Sequence, residues 1–300
     1  MTKIEPIKNT TQASSFYTQY KSLVKKEFKI QLRYPISFIT SFITIFAIIA
    51  VFTMVAKLFL DPASNSTPNS SYFTNTNLAT YMFWGLLAYN FFGQILFNLG
   101  KSLRNEQEIG TLETLFLFPM NQVANLLSKI TWGIFINVFI GIFGFFVIEL
   151  LTGIILIQFP SILLTLFAFF CFFLQINGLA FLIAGLSVRL KESIVPIVNF
   201  GQFTLMIFCS FFFPFSVLGP LVVVSYIFPM SFSIDILRAT IFQSTPELAS
   251  ILISQGIDKV AIYLEWMYMV LSALLLPVIG YKYYMYSINK GRLSGNLSDY

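Results

Sequence analysis

Ser161 to Leu186 reads SILLTLFAFFCFFLQINGLAFLIAGL, a stretch without one charged side chain. A helix crossing the ~30 Å hydrocarbon core of a bilayer needs ~20 consecutive apolar residues. A helix on the surface of a soluble domain shows one apolar stripe, whereas here apolar residues fill every face. The segment is therefore predicted to span a membrane. Upstream, Gln158-Phe159-Pro160 interrupts a charge-free run that starts at Leu150, which predicts a tight outer turn before the span.

Five further spans follow from the same criterion: Ile36 to Ala56, Thr80 to Gly100, Ile130 to Ile148, Ile194 to about Phe213-Pro214, and Trp266 to about Tyr286, with Lys282 snorkelling. Residues 214 to 264 are broken by Pro214, Gly219-Pro220 and Pro229 into pieces too short to cross, so they are predicted to be re-entrant half-helices. A seventh span from Leu221 to Phe242 would enclose Asp235 and Arg238 and place the C-terminal cations outside, which the positive-inside rule disfavours. With six spans, all of the 18 Lys+Arg except Lys57, Arg238 and Lys259 fall on the cytoplasmic side. Acidic Asp61, Glu149, Asp235, Glu247, Asp258 and Glu265 fall outside.

Composition agrees. The 300 residues are 57% hydrophobic and 10% charged, against roughly 25% charged residues in a soluble domain. The net charge of +5 reports orientation rather than a nucleic-acid partner. Cys171 and Cys209 lie in apolar segments and read as small buried hydrophobes. With His 0 in the sequence, imidazole metal sites and proton relays are excluded. No cleavable leader is expected, because residues 1–33 are polar and basic. The expected fold is an all-α integral membrane protein with six transmembrane helices and both termini in the cytoplasm. It divides into a cytoplasmic N-terminus (1–33) and a transmembrane domain (34–300), the latter including a cytoplasmic loop (101–129) and an outer re-entrant region (214–264).

Between Phe16 and Leu32, Tyr17, Tyr20, Val24, Phe28 and Leu32 recur three or four positions apart and form one helical face. Lys25, Lys29 and Arg33 repeat beside it, as in a helix lying in the headgroup layer of a lipid bilayer. A helix packed on another subunit would show the same pattern.

The loop after the second span reads KSLRNEQEIGTLETLFLFP from Lys101 to Pro119. Gly110 permits a sharp turn, Thr111 can cap a short helix, Leu112, Leu115 and Phe116 give it an apolar stripe, and Pro119 ends it. Gly100-Lys101-Ser102 is no phosphate loop: Ile95 stands where such a loop needs glycine, and a helix leads in rather than a strand.

This loop resembles the first cytoplasmic loop of type-2 ABC transporter permeases, a Glu-x-Gly-Thr-Leu-Glu-x-Leu stretch followed by a proline. Glu108, Gly110, Thr111, Leu112, Glu113, Leu115 and Pro119 match it. The basic helix before the first span, the six spans and the proline-led Asp-x-x-Arg of Pro229, Asp235 and Arg238 also fit. The resemblance implies that Glu106 to Phe116 docks on a separate ABC ATPase subunit, present in two copies, which would hold the ATP and Mg. It also implies a second permease copy or a paralogue as partner, a plasma-membrane location, and export of an amphipathic, lipid-like or polymeric substrate. This chain itself would be no enzyme and would bind no cofactor.

No span carries a charge near its middle; Glu149 and Glu265 stand at outer edges. Secondary carriers commonly place a carboxylate there. A stand-alone carrier or channel, or a membrane scaffold without transport, nevertheless stays open. Asn90, Gln94 and Asn98 line one face of the second span, and Ser37, Ser41 and Thr44 one face of the first. They read equally as a weakly polar substrate path and as hydrogen-bonded helix packing. The phenylalanines of the fourth and fifth spans suit either an amphipathic substrate or lipid. Asn65 and Asn69 head glycosylation sequons in the outer loop.

Overall fold

A computed structural model describes residues 16–33, 81–96, 122–152, 161–187, 194–254 and 260–294, with isolated positions at 36, 39, 40, 43, 47 and 189. Most of the first predicted span, the loop from 101 to 121, the turn at 158–160 and both sequons lie outside them. Among the described residues, regular structure is entirely helical: α1 (Phe16–Arg33), α2 (described over 81–96), α3 (Gln122–Thr152), α4 (Ile162–Ser187), α5 (Val195–Phe208), a 3₁₀ helix η1 (Phe215–Leu221), α6 (Val222–Ser225), α7 (Pro229–Phe242), α8 (Glu247–Ser254) and α9 (Val260–Ser294).

Three of these contain stretches long and apolar enough to cross a bilayer: Val123–Gly144, Ile162–Ser187 and Val260–Lys290. The fourth predicted span agrees with α4 to within a residue. The third is longer than expected, since α3 begins at Gln122 and so absorbs the last residues of the predicted 101–129 loop. The sixth is longer still. Its apolar core from Trp266 is extended upstream to Val260 and downstream to Ser294.

The fifth predicted span is shorter than the sequence suggested. Helix α5 stops at Phe208, a 14-residue helix of about 21 Å that cannot by itself cross ~30 Å. It starts with Pro196 in its first turn, where the missing N–H costs nothing. It ends because Ser210 adopts a left-handed φ of 54°, which no helix continues through. The apolar run to Phe213 concealed this, since hydrophobicity carries no information about a backbone reversal.

The stretch expected to be broken is broken. Gly219 takes φ 52° and ψ −127°, a conformation reserved for glycine. Pro229 opens α7, so no single helix runs from Leu221 to Phe242. Helix α7 lies antiparallel along the first half of α4. Thr240 meets Thr165 near the start of α4 at 3.2 Å, whereas Ser233 donates to Gln175 Oε1 at 2.8 Å halfway along it.

Two adjoining cores hold these parts together. One gathers Phe92, Ile95, Phe172, Phe211 and Tyr284, with the Phe211 ring 5.7 Å from Tyr89 and 5.9 Å from Phe92. The other gathers Phe215, Ile236, Leu248 and Met269 around the short helices. Helices α4 and α9 approach backbone to backbone: a Cβ on Gly178 would stand 2.5 Å from the Leu276 carbonyl carbon, and one on Gly280 would collide with the Gly178 oxygen. Small residues at such crossings are how helices associate in lipid, where van der Waals packing replaces the hydrophobic drive. The outer flanks keep Leu163, Phe170, Phe200 and Leu274 exposed, which suits a hydrocarbon solvent and not water.

The crossing makes a test. Gly178→Ala and Gly280→Ala should each cost about 1–3 kcal/mol through overpacking against backbone that cannot rotate aside, read as a lowered thermal midpoint in detergent. Gly201→Ala, whose Cβ would meet nothing within 4 Å, should be neutral or stabilising. Equal losses at all three positions would refute the close-approach account.

Candidate functional site

The Asp-x-x-Arg of α7 is the chemical centre of the described structure. Asp235 and Arg238 were expected in an outer segment, yet both are only 4% exposed. The helix offsets them by one turn, and each reaches the severed end of a neighbouring helix. The Arg238 guanidinium donates through Nη1 to the Ser210 carbonyl and, at 2.6 Å, to the Tyr81 hydroxyl, and through Nη2 to the Phe211 carbonyl. It also stands 3.6 Å above the Tyr81 ring, adding cation–π attraction. Those carbonyls follow the end of α5, where the helix leaves acceptors without intrahelical partners. A fixed planar fork satisfies several at once, which the compact ammonium of a lysine would not.

Asp235 works at the opposite kind of terminus. Its carboxylate accepts the backbone N–H of Glu247 at 3.0 Å and of Leu248 at 2.6 Å, the first two residues of α8, where donors are orphaned and the helix dipole favours an anion. Glu247 repeats the device one step along: its carboxylate accepts the N–H of Phe215 at 2.9 Å and of Ser216 at 2.8 Å at the start of η1. Tyr81 closes the set by donating to the Phe213 carbonyl at 3.0 Å. Such charge-assisted bonds are the stronger class. Because α2 must approach this knot closely, Gly85 has no room for a Cβ, which would collide with the Phe211 carbonyl oxygen. Glu265, placed by the sequence at the outer edge of the last span, lies inside α9, only 3% exposed and packed toward Asp235.

Sequence reading missed Tyr81, Ser210 and Glu247 as members of this set. Glu247 follows Pro246, a helix-start pattern that could have marked it. Tyr81 carries no such signal, because its partners lie more than a hundred residues away in sequence.

The N-terminal helix forms as expected over Phe16–Arg33, but part of its apolar face packs on α3 of the same chain. The Tyr20 hydroxyl meets Thr131 Oγ1 at 2.6 Å, and the Phe28 ring sits 4.7 Å from Trp132 and 5.0 Å from Phe135. Val24 is half-buried on the same side, whereas Tyr17 and Leu32 are exposed, as are Lys25, Lys29 and Arg33. Of the polar path residues, Gln94 Oε1 accepts from Asn137 Nδ2 at 3.1 Å, and Asn90 Nδ2 donates to the Leu86 carbonyl of its own helix at 3.0 Å. Both contacts are helix packing. Ser41, Thr44 and Asn98 lie outside the described residues. So do Glu106, Glu108, Gly110, Thr111, Leu112, Glu113, Leu115 and Pro119 of the loop.

Long apolar helices, a basic amphipathic helix braced on the first of them, and broken helices tied by Asp235 and Arg238 suit a protein embedded in a membrane. The sequence model of the family described as ABC-2 type transporter matches residues 18–242. The chain belongs to the ABC-2 type transporter family. Comparison with curated proteins gives no match. An ABC-2 permease is the membrane component of an ABC transporter and carries no ATPase site of its own, working in general with an ABC ATPase partner.

The backbone knot gives a graded expectation. Arg238→Met strips the Ser210 and Phe211 carbonyls and the Tyr81 hydroxyl of their donor, at about 1–3 kcal/mol for each buried group left bare. Tyr81→Phe removes one hydroxyl and should cost about 0.5–1.5 kcal/mol. Thermal midpoints of the purified variants should fall in that order, with proteolysis at residues 243–246 rising in parallel. An Arg238→Met protein as stable as Tyr81→Phe would show that the guanidinium does not hold the broken helices.

Proposed function

We propose that this ABC-2 permease drives export of an amphipathic, lipid-like or polymeric substrate, working as a dimer with itself or a paralogue and powered by two copies of a cytoplasmic ATPase. The ATPase docks on the loop of residues 106–116. The observation that supports this most is the brace between α1 and α3. The loop precedes α3, which starts at Gln122, and α1 is fastened to about the third turn of that helix, where Tyr20 meets Thr131 and Phe28 meets Trp132. A displacement of the loop is thus delivered to a helix base already clamped to the basic helix. Lys25, Lys29 and Arg33 stay exposed, positioned to hold anionic headgroups while the aromatic side holds α3.

In this reading Glu108 and Glu113 make the acidic contacts with the ATPase, Gly110 and Thr111 set the turn, and Leu112 and Leu115 seat the short helix. Six spans place both termini in the cytoplasm, and α7 enters from the outer side as a half-helix. Asp235 lies on the short helix α7 and Glu265 near the start of α9 rather than at its middle, which supports a motor external to the chain.

Charge reversal of the pair, Glu108→Lys with Glu113→Lys, should leave membrane insertion intact. It should also abolish stoichiometric co-purification of the ATPase, or uncouple its hydrolysis from the permease. Undiminished association together with permease-dependent hydrolysis in the double variant would sink the docking role. Flux driven by an ion gradient, with no ATPase partner, would assign the chain to the secondary carriers instead.

A further inference from the structure

A cavity of about 590 Å³ opens between α2, α3, α4 and α7, a volume typical of small-molecule sites. Its floor is made of Phe83, Ala88, Phe172, Ile234 and Leu237, all buried. Its lip is made of Val138, Ile142, Phe146, Leu166 and Phe169, all exposed. Among the described residues lining it, the polar side chains besides the Trp84 indole are Asn137 and Ser233, and both are committed elsewhere. Asn137 Nδ2 donates to Gln94 and to the Gly133 carbonyl, and the Ser233 hydroxyl donates to Gln175.

Water needs two to four polar partners to be held in a cavity, and these walls do not supply them. The lip is continuous with the exposed apolar flanks of α3 and α4, two of the helices long and apolar enough to cross a bilayer. In a bilayer such an opening faces hydrocarbon, and the Asn137 amide nitrogen and the Ser233 hydroxyl, already bonded elsewhere, are not offered to a headgroup. We infer that this cavity is a binding site for the acyl chain of a bilayer phospholipid, which slides in sideways between α3 and α4 and reaches α7 at Ile234 and Leu237.

Recognition here is by shape. Lipid tails are as apolar as the walls, so the chain is held by packing and not by transfer out of water. The inference stands on the membrane fold alone and is independent of transport direction. It also places a lipid chain against Ile234, which precedes Asp235, and Leu237, which precedes Arg238.

Trp84 lines the site and provides the probe. The sequence holds three tryptophans, so Trp132→Phe with Trp266→Phe leaves Trp84 as the sole indole emitter. Reconstituted in phosphatidylcholine vesicles whose acyl chains carry bromine at mid-length, this variant should show Trp84 quenched relative to unbrominated vesicles. Gly141→Leu in the same background should relieve more than half of that quenching, because Gly141 faces the cavity with only Leu87 side-chain carbons within 4 Å of its added Cβ. Should Gly141→Leu fail to fold, Val138→Phe at the exposed lip makes the same comparison. Replacing phosphatidylcholine by phosphatidylglycerol should leave the quenching unchanged. Absent quenching would mean that protein, such as the apolar stretch 36–56, closes the cavity. Quenching that neither filler relieves, or that follows the headgroup, would equally overturn the assignment.

Discussion

The architecture depends on satisfying the backbone where helices break inside an apolar fold. Every helix terminus leaves donors or acceptors without partners, and in a hydrocarbon surround no water supplies them. This permease breaks its chain after Phe208, at Gly219, before Pro229 and before Glu247, and answers with two charged residues one turn apart. Arg238 takes the carbonyls after α5, Asp235 takes the N–H groups of α8, and Glu247 passes the same service to η1. Neither Asp235 nor Arg238 spends its charge mainly on the other. Buried ionic groups are often costly to stability; here, together with Glu247, they close three ragged ends that apolar packing could not close.

Much of this was legible in the sequence. Charge-free runs located the long helices, since α4 and the core of α9 follow from length and hydropathy alone. Pro229 and Gly219 announced the broken region because their backbone restrictions are local. The amphipathic face of α1 was legible for the same reason. What could not be read is set by tertiary contact. The early stop of α5 depends on Ser210 turning left-handed over the Arg238 fork. Half of the α1 face turned out to meet α3, because a helical face names its chemistry and not its partner. Tyr81 gives no sign of its role until α2 and α7 are brought together.

Polar residues inside the helices divide by the same logic. Gln94 with Asn137, and Gln175 with Ser233, Ser272 and the Met269 carbonyl, form interhelical bonds. Such pairs fasten helices where hydrophobic drive is absent. Gln175 is the most connected of them, tying α7 to both α4 and α9. The short helix α7 is thereby fixed to two long apolar helices beside it, and its two charges inherit that rigidity.

The length of α9 carries its own consequence. Its 35 residues rise about 52 Å, well beyond the hydrocarbon thickness of a bilayer. A helix of that length does not fit within the hydrocarbon from end to end. The Arg189 guanidinium stands 5.1 Å from the ring centre of Tyr283 and 4.8 Å from that of Tyr286, so a residue just past the end of α4 is held against α9. A tilt of the last helix would therefore act on the C-terminal end of α4 through Arg189.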